Sequence, residues 1–216
     1  MEPSVLPLRD EARGRPLPTT LYGTEGPLVV WAHGMWGHPR KFTHLLGRWA
    51  QAGYVVAAPA FPRTNDENPP PYEIEDVVNQ PADVSFVIDA LLARGIGDPR
   101  RIGVGGFSLG AETALAVGLH PGHGDPRVRA VVAAAGCLFH PGLAAAQLLP
   151  RPVLLAHGDA DKTVRIAESL AVYEKAHEPK ELVTFAGAGH DICEDTGMPY
   201  AAEFAERTLA FWREYL

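Results

Sequence analysis

The segment Gly106-Phe107-Ser108-Leu109-Gly110 constrains the fold most, because of the sequence on either side of it. Residues 101–105 are mostly apolar or small and predict a buried strand, whereas residues 111–119 are rich in Ala and Leu and predict a helix. A serine flanked by two glycines, in a tight turn between a strand and a helix, is typical of a nucleophilic serine. The glycines are expected because a Cβ atom there would collide with the neighbouring strand or helix. The alternative is that Ser108 only caps the helix.

Apolar runs and helical patterns alternate along the rest of the chain. Strands are predicted at residues 5–8, 17–22, 28–32, 54–58, 128–134, 153–156 and 182–185, and helices at residues 42–52, 74–93, 164–176 and 200–215. The longest of these predicted helices is expected to bend near Pro81. This alternation predicts one α/β domain over residues 1–216, with a mostly parallel sheet covered by helices on both faces.

Length and charge argue against several classes of function. A chain of 216 residues suits one domain, and its net charge of −7 without a basic run argues against nucleic acid as a partner. No apolar stretch reaches the roughly 20 residues of a membrane span. The first ten residues lack the charged and apolar regions of a secretory signal. We therefore expect a cytoplasmic protein, or a secreted one if the chain is a trimmed mature form.

The two cysteines, Cys137 and Cys193, do not indicate a metal site or a disulfide framework. Their spacing matches no common zinc motif, so no metal is predicted. A cytoplasmic setting favours free thiols. Both residues follow predicted strand ends on the same side of the sheet, which leaves a disulfide between them as the alternative.

A general base and an acid for Ser108 are available after two later strands. A serine hydroxyl needs a base to take its proton, and the base needs a partner that fixes its tautomer. Asp159 and Asp161 follow the predicted strand at 153–156, and His190 follows the one at 182–185. The carboxyl ends of parallel strands share one edge of a sheet, so these residues are expected to meet there. Asp159 is more typical of a turn residue that bonds its own backbone.

Two backbone amides are candidates for holding the negative charge that develops on a carbonyl oxygen during acyl transfer. The amide of Leu109 follows the serine at the start of the helix. The amide of Met35 lies in the loop after the strand at 28–32, where Gly34 allows a turn that points it inward.

The surroundings of these strand ends are apolar. Five residues are expected to lie near the substrate: Trp36, Phe61, Cys137, Leu138 and Phe139. For Trp36 and Phe61 a place in the core is an equally good interpretation. His33 and His157 are expected to brace their turns. The other histidines besides His190 are expected to be solvated: His38, His44, His120, His123, His140 and His177.

Together these features resemble the α/β-hydrolase fold over nearly the whole chain. The His33-Gly34 turn, the Gly106–Gly110 segment, the His157–Asp161 segment and Gly189-His190 match its oxyanion loop, nucleophile, acid and base in order. In the H-G-x-x-D pattern of that fold the acid is the last position, which implies Asp161. Residues 15–20 and 83–88 resemble the compact lipase–cutinase, chlorophyllase and dienelactone-hydrolase-like group.

That resemblance implies a serine hydrolase of carboxylic esters that needs no cofactor. Two features depart from particular members of the group. Dienelactone hydrolases proper carry a cysteine where this chain has Ser108, and secreted cutinases carry signal peptides and disulfides that are not evident here. Too few residues lie between positions 134 and 153 for a folded cap domain, so an open site is expected.

The expected function is therefore that of a carboxylesterase for small-molecule or polymeric esters. A peptidase or amidase with the same three residues, and a non-catalytic ligand-binding protein, are the alternatives. The chain is expected to be a monomer or a small homo-oligomer.

Overall fold

The computed structural model describes residues 2–68, 70–138 and 140–216. Phe139, predicted near the substrate, lies outside the described residues. Eight strands join one sheet: β1 (Ser4–Asp10), β2 (Arg15–Tyr22), β3 (Pro27–Ala32), β4 (Val55–Pro59), β5 (Asp98–Phe107), β6 (Val128–Ala134), β7 (Val153–Gly158) and β8 (Lys180–Phe185). Their order in the sheet is β1-β2-β4-β3-β5-β6-β7-β8. β1 pairs with β2, and β2 with β4, in antiparallel fashion, and all other neighbouring pairs are parallel.

The helices lie between the strands, as the alternation predicted. They are α1 (Thr43–Gln51), α2 (Gln80–Leu92), α3 (Leu109–Leu119), α4 (Ile166–Lys175) and α5 (Tyr200–Tyr215). The helix predicted at residues 74–93 is in fact two elements, a 3-10 helix at Ile74–Asn79 followed by α2. Pro81 lies in the first turn of α2, where its missing N–H leaves no helical hydrogen bond unmade. In the part of the chain that is described, no helix is long and apolar enough to cross a bilayer.

Both faces of the sheet are buried, which explains the continuous apolar runs of its central strands. Along β3, Val29 and Trp31 pack against the layer that contains α1 and α5. Their neighbour Val30 packs on the opposite side, against α2 and α3. Trp49 of α1 contacts Trp31 edge to face at 5.4 Å and Trp212 of α5 at 5.8 Å. Each such aromatic pair contributes about 0.5–1.5 kcal/mol beyond its buried area, so α1 and α5 are firmly attached to the sheet.

A network of ion pairs connects the antiparallel edge of the sheet to the 3-10 helix and to α2. The guanidinium of Arg15, at the start of β2, binds both oxygens of Asp76 at 2.8 Å and both oxygens of Asp83 at 2.7 and 2.5 Å. Arg13 also contacts Asp83 at 2.7 Å. The Asp83 carboxylate is fully buried, so removal of its arginine partners would leave a buried charge uncompensated.

Candidate active site

Ser108 occupies a sharp turn between β5 and α3. Its backbone has φ 54° and ψ −118°, a conformation that residues with a Cβ atom seldom adopt. The turn is held from both sides: the Ser108 N–H donates to the Ala134 carbonyl at 2.9 Å, and the Ser108 carbonyl accepts from the Ala111 N–H at 2.9 Å. Strained backbone that is fixed in this way is concentrated at functional sites.

The two glycines beside the serine are required by space, as predicted. A Cβ atom on Gly106 would lie 2.0 Å from the carbonyl oxygen of Gly110, and one on Gly110 would lie 2.1 Å from that of Ala32. Both obstacles are backbone atoms, which cannot rotate away as a side chain could.

We expect Gly110→Ala to destabilise the protein by about 3 kcal/mol, because β3 and α3 would have to separate. The matched control is Gly47→Ala in α1, where an added Cβ would have no atom within 4 Å. The control should be neutral or should stabilise by up to about 1 kcal/mol. Urea unfolding of both variants measures the difference, and equal free energies of unfolding would contradict the expectation.

The structure brings Ser108, His190 and Asp161 into one chain of contacts. His190 Nε2 lies 2.9 Å from Ser108 Oγ, and His190 Nδ1 lies 2.7 Å from Asp161 Oδ2. A carboxylate can only accept, so Nδ1 carries the proton and Nε2 is free to accept one from the serine hydroxyl. The Asp161 side chain is fully buried, whereas the His190 side chain is about one-fifth exposed.

The Asp161 carboxylate is oriented by the turn that follows β7. Its Oδ1 accepts the backbone N–H groups of Thr163 at 2.8 Å and Val164 at 3.0 Å, which leaves Oδ2 turned toward His190. His157 packs behind this turn, with Nε2 2.9 Å from the Val164 carbonyl and 3.3 Å from Asp161 Oδ2. His157 thus has the bracing position that the sequence indicated.

Asp159 supports the loop that carries His190. Among the hydrogen bonds of the described residues, none joins Asp159 to the imidazole of His190. Its Oδ1 accepts the N–H of Gly187 at 2.6 Å, 28 residues along the chain. The expectation that Asp159 bonds its own turn is therefore wrong, because β7 and β8 are neighbours and their loops run side by side.

The loop after β3 passes directly against Ser108. A Cβ atom on Gly34 would lie 3.2 Å from the Ser108 Cβ, so no larger residue fits without a shift. Met35 follows this glycine, and Leu109 follows the serine. Among the hydrogen bonds of the described residues, none has the N–H of Met35 or the N–H of Leu109 as its donor.

His33 holds this loop in position. Its Nε2 accepts the N–H of Phe61 at 3.0 Å, so Nδ1 carries the proton and donates to the Gly34 carbonyl at 2.8 Å. Burial lowers the pKa of His33 to about 4. The histidine is therefore neutral in the folded protein over the ordinary pH range, which suits the bracing role predicted for it.

Because His33 is buried as the neutral form, we expect the fold to lose stability as the pH falls from about 6.5 toward 4. The unfolded chain takes up a proton in this interval and the folded chain does not, so the loss at pH 5 is about 2 kcal/mol. His33→Gln, which keeps one donor and one acceptor but does not titrate, is the control. Urea unfolding at pH 7 and pH 5 should show a smaller acid loss in the variant, and an identical loss would contradict the assignment.

The residues predicted near the substrate differ widely in exposure. Trp36 is 56% exposed, and Met35 and Leu138 are half-buried. Phe61 is fully buried against the His33 ring, at 5.1 Å between ring centres, so it belongs to the core. Cys137 is also buried and does not face an open surface.

Both cysteines are buried. Burial raises the pKa of Cys193 well above its ordinary value, which makes this thiol a poor nucleophile at neutral pH.

Three histidines that were expected to be solvated instead form contacts that hold the segment after β6 in place. The ring of His120 contacts the Ala144 carbonyl at 3.4 Å, and that of His123 contacts the Gly142 carbonyl at 3.1 Å. His140 Nε2 lies 2.6 Å from a carboxylate oxygen of Glu75. No periodic pattern marks these contacts, because they join loops that are distant in sequence.

The segment after β6 that these histidines contact also covers the part of the structure next to Ser108. Leu143 packs with Leu109 and with Val77 of the 3-10 helix, and Met35 and Val78 pack against this group. Between β6 and β7, the described residues form neither helix nor strand. The cover is thus a loop and one short 3-10 helix, and no large cap domain is present in this part of the chain.

A cavity of about 720 Å³ lies between the β1–β2 turn and the loop before the 3-10 helix, and its lining includes none of Ser108, Asp161 and His190. Its arginines are all engaged: Arg13 and Arg15 with aspartates, and Arg63 with Glu73 at 2.6 Å. Among the described residues, no group of three or more His, Cys, Asp or Glu side chains is arranged to hold a metal ion.

Comparison with solved structures shows the same fold. The esterase domain of a Rhodothermus marinus protein is 19% identical, with a TM-score of 0.70 over 100% of this chain and 99% of that one. Thermogutta terrifontis esterase 2 is 19% identical, with a TM-score of 0.75 over 98% and 94%. A Paleococcus ferrophilus monoacylglycerol lipase is 18% identical, with a TM-score of 0.69 over 91% and 98%. The predicted α/β-hydrolase fold is confirmed.

Sequence comparison identifies the family. No curated protein sequence matches this chain. The model of the dienelactone hydrolase family matches residues 18–216, which include every residue of the site described above. This chain therefore belongs to the dienelactone hydrolase family.

Proposed function

We propose that this protein is a serine carboxylesterase that acts through an acyl-enzyme on Ser108. The observation that carries the proposal is the unbroken chain of contacts from Ser108 Oγ through His190 to the buried Asp161 carboxylate. Membership of a hydrolase family supports it, as do the structural neighbours described as esterases. The serine, in place of the cysteine of dienelactone hydrolases proper, favours ordinary esters as substrates.

In the first half of the proposed reaction, Ser108 Oγ attacks the ester carbonyl carbon while its proton passes to His190 Nε2. Asp161 stays ionised and stabilises the imidazolium that forms. The N–H groups of Met35 and Leu109 donate to the carbonyl oxygen as it becomes negative. His190 then gives its proton to the departing alcohol oxygen, and the acyl group remains on Ser108.

The second half repeats these steps with water. His190 removes a proton from a water molecule, whose oxygen attacks the acyl carbon. The proton returns from His190 to Ser108 Oγ as the carbon–oxygen bond to the serine breaks. The products are a carboxylic acid and the restored hydroxyl, and no cofactor takes part.

The cover around Leu109 is small, so we propose that short acyl chains are preferred. An apolar chain contributes about 0.8 kcal/mol per methylene group only while that group is enclosed. The apolar residues next to the serine are Val77, Leu109 and Leu143, with Met35 and Val78 packed against them, and they are the ones proposed to contact the acyl chain.

A series of p-nitrophenyl esters from acetyl to palmitoyl, with a matched p-nitroanilide, tests both parts of the proposal. We expect kcat/KM to peak between acetyl and hexanoyl and to fall for longer chains, with the anilide far slower than its ester. A steady rise to palmitoyl would contradict the short-chain preference. Faster cleavage of the anilide would favour a peptidase, and no turnover of any member would contradict the enzyme proposal.

A further inference from the structure

Trp36 is held in a backbone conformation that its side chain disfavours. The turn at residues 34–37 is closed by the Gly37 N–H, which donates to the Gly34 carbonyl at 3.0 Å. Trp36 is the third residue of this turn and has φ 55°. Turns with a positive φ at this position normally carry glycine or asparagine there, because other side chains are strained. The chain thus keeps a bulky aromatic residue where a small one would fit better.

The surrounding structure fixes this strained residue at both of its peptide groups. The Trp36 N–H donates to the carbonyl of the buried Thr64 at 2.8 Å, and Lys41 Nζ donates to the Trp36 carbonyl at 2.6 Å. The indole itself remains 56% exposed, whereas the other three tryptophans of the chain are fully buried. Neither packing nor backbone preference explains an exposed indole here, so a role in binding is indicated.

Tyr72 supplies a second aromatic face next to the indole. The two ring centres are 5.8 Å apart and the planes meet at 67°, an edge-to-face arrangement that orients the exposed indole. The loop that carries Trp36 passes beside the serine, because Gly34, two residues before Trp36, is packed against Ser108. Two residues span at most about 7 Å, so the Cα atom of Trp36 lies within that distance of the residue packed against Ser108.

The charged side chains around the two rings are paired with one another. Glu73, the residue after Tyr72, forms an ion pair with Arg63 at 2.6 Å. Lys41 lies 3.6 Å from Asp66, which also binds Arg40 at 2.6 Å. A charged ligand would have to compete with these pairs, whereas an uncharged ring need not.

We infer that Trp36 and Tyr72 form a binding surface for an uncharged aromatic ring of the ester substrate. The inference rests on the proposed ester hydrolysis and narrows its substrate class to aryl esters. The ring can belong to the alcohol or to the acyl half of the ester, because either half can extend over the loop after β3.

A binding experiment that needs no turnover tests the inference. Acrylamide quenches exposed indoles, so in Ser108→Ala the quenchable fluorescence comes from Trp36, since Trp31, Trp49 and Trp212 are buried. Phenyl butyrate should reduce this quenching at lower concentration than cyclohexyl butyrate, by about threefold or more. For the acyl half, methyl benzoate is compared with methyl cyclohexanecarboxylate. Equal protection within both pairs of esters would overturn the inference.

Kinetic ratios give the second test. The quantity measured is the ratio of kcat/KM for the aryl ester to that for its saturated partner, and it is compared between wild type and variant because phenoxide is intrinsically the better leaving group. Trp36→Asn, which suits a positive φ, should lower this ratio by about threefold or more in at least one pair of esters, and Trp36→Phe should restore part of it. Leu170→Asn, which changes an exposed apolar residue of α4, is the control and should leave the ratio as it is. An unchanged ratio in Trp36→Asn would overturn the inference.

The two tests separate this inference from the proposed function. Protection by aryl esters without any turnover in the wild type would contradict the esterase proposal and leave the aromatic surface intact. Turnover with a ratio that is unchanged in Trp36→Asn, together with equal protection, would overturn the aromatic surface and leave the esterase proposal intact. If Trp36→Asn fails to fold, the quenching result in Ser108→Ala decides alone.

Discussion

Ser108→Ala is expected to lower kcat for p-nitrophenyl esters by about three orders of magnitude or more, as loss of a nucleophilic serine does. The fold should persist, because the turn is held by the backbone hydrogen bonds to Ala134 and from Ala111, which the substitution does not remove. Circular dichroism and urea unfolding provide the control for folding. The residual rate should reflect only the binding site and the amide donors.

A fluorophosphonate probe gives an independent measurement of the same assignment. It should label the wild type once, at Ser108, and should not label the alanine variant. Peptide mapping that places the label on another residue would contradict the assignment, as would an alanine variant that retains most of its activity.

Asp161→Asn is expected to lower kcat by up to about four orders of magnitude, because an amide at this position favours the wrong tautomer of His190. Asp159→Asn is the matched control: it changes a carboxylate two residues away that binds the Gly187 N–H and not the imidazole. The amide oxygen of asparagine can still accept from Gly187, so the control should keep most of its activity. Steady-state kinetics with one ester suffices, and reversed effects would show that Asp159 is the acid.

The order of strands and helices could be predicted because each central strand is buried on both faces. Such strands appear as continuous apolar runs, and β6 and α5 have the predicted bounds. The 3-10 helix at Ile74–Asn79 could not be separated from α2, since both show helical spacing and only the backbone hydrogen bonds distinguish them.

The contact of Ser108 with His190 and of His190 with Asp161 could be anticipated, because each residue directly follows a parallel strand and such strand ends share one edge. Positions that depend on loops crossing between strands could not. Asp159 reaches Gly187, and Phe61 reaches His33, through the particular path of two loops. The contacts of His120 and His123 with the segment after β6 likewise follow from loop geometry, for which the sequence has no periodic signal.

Through the ion pairs of Arg15, the antiparallel edge of the sheet is connected by a series of contacts to the residues around Ser108. Arg15 binds Asp76, and the next residue, Val77, packs against Leu109, whose amide is proposed to hold the oxyanion. A substitution in the β1–β2 hairpin can therefore displace the 3-10 helix and alter catalysis from a distance. Random mutagenesis of this enzyme for activity should thus find variants in the hairpin, although the hairpin contributes no residue to the contacts among Ser108, His190 and Asp161.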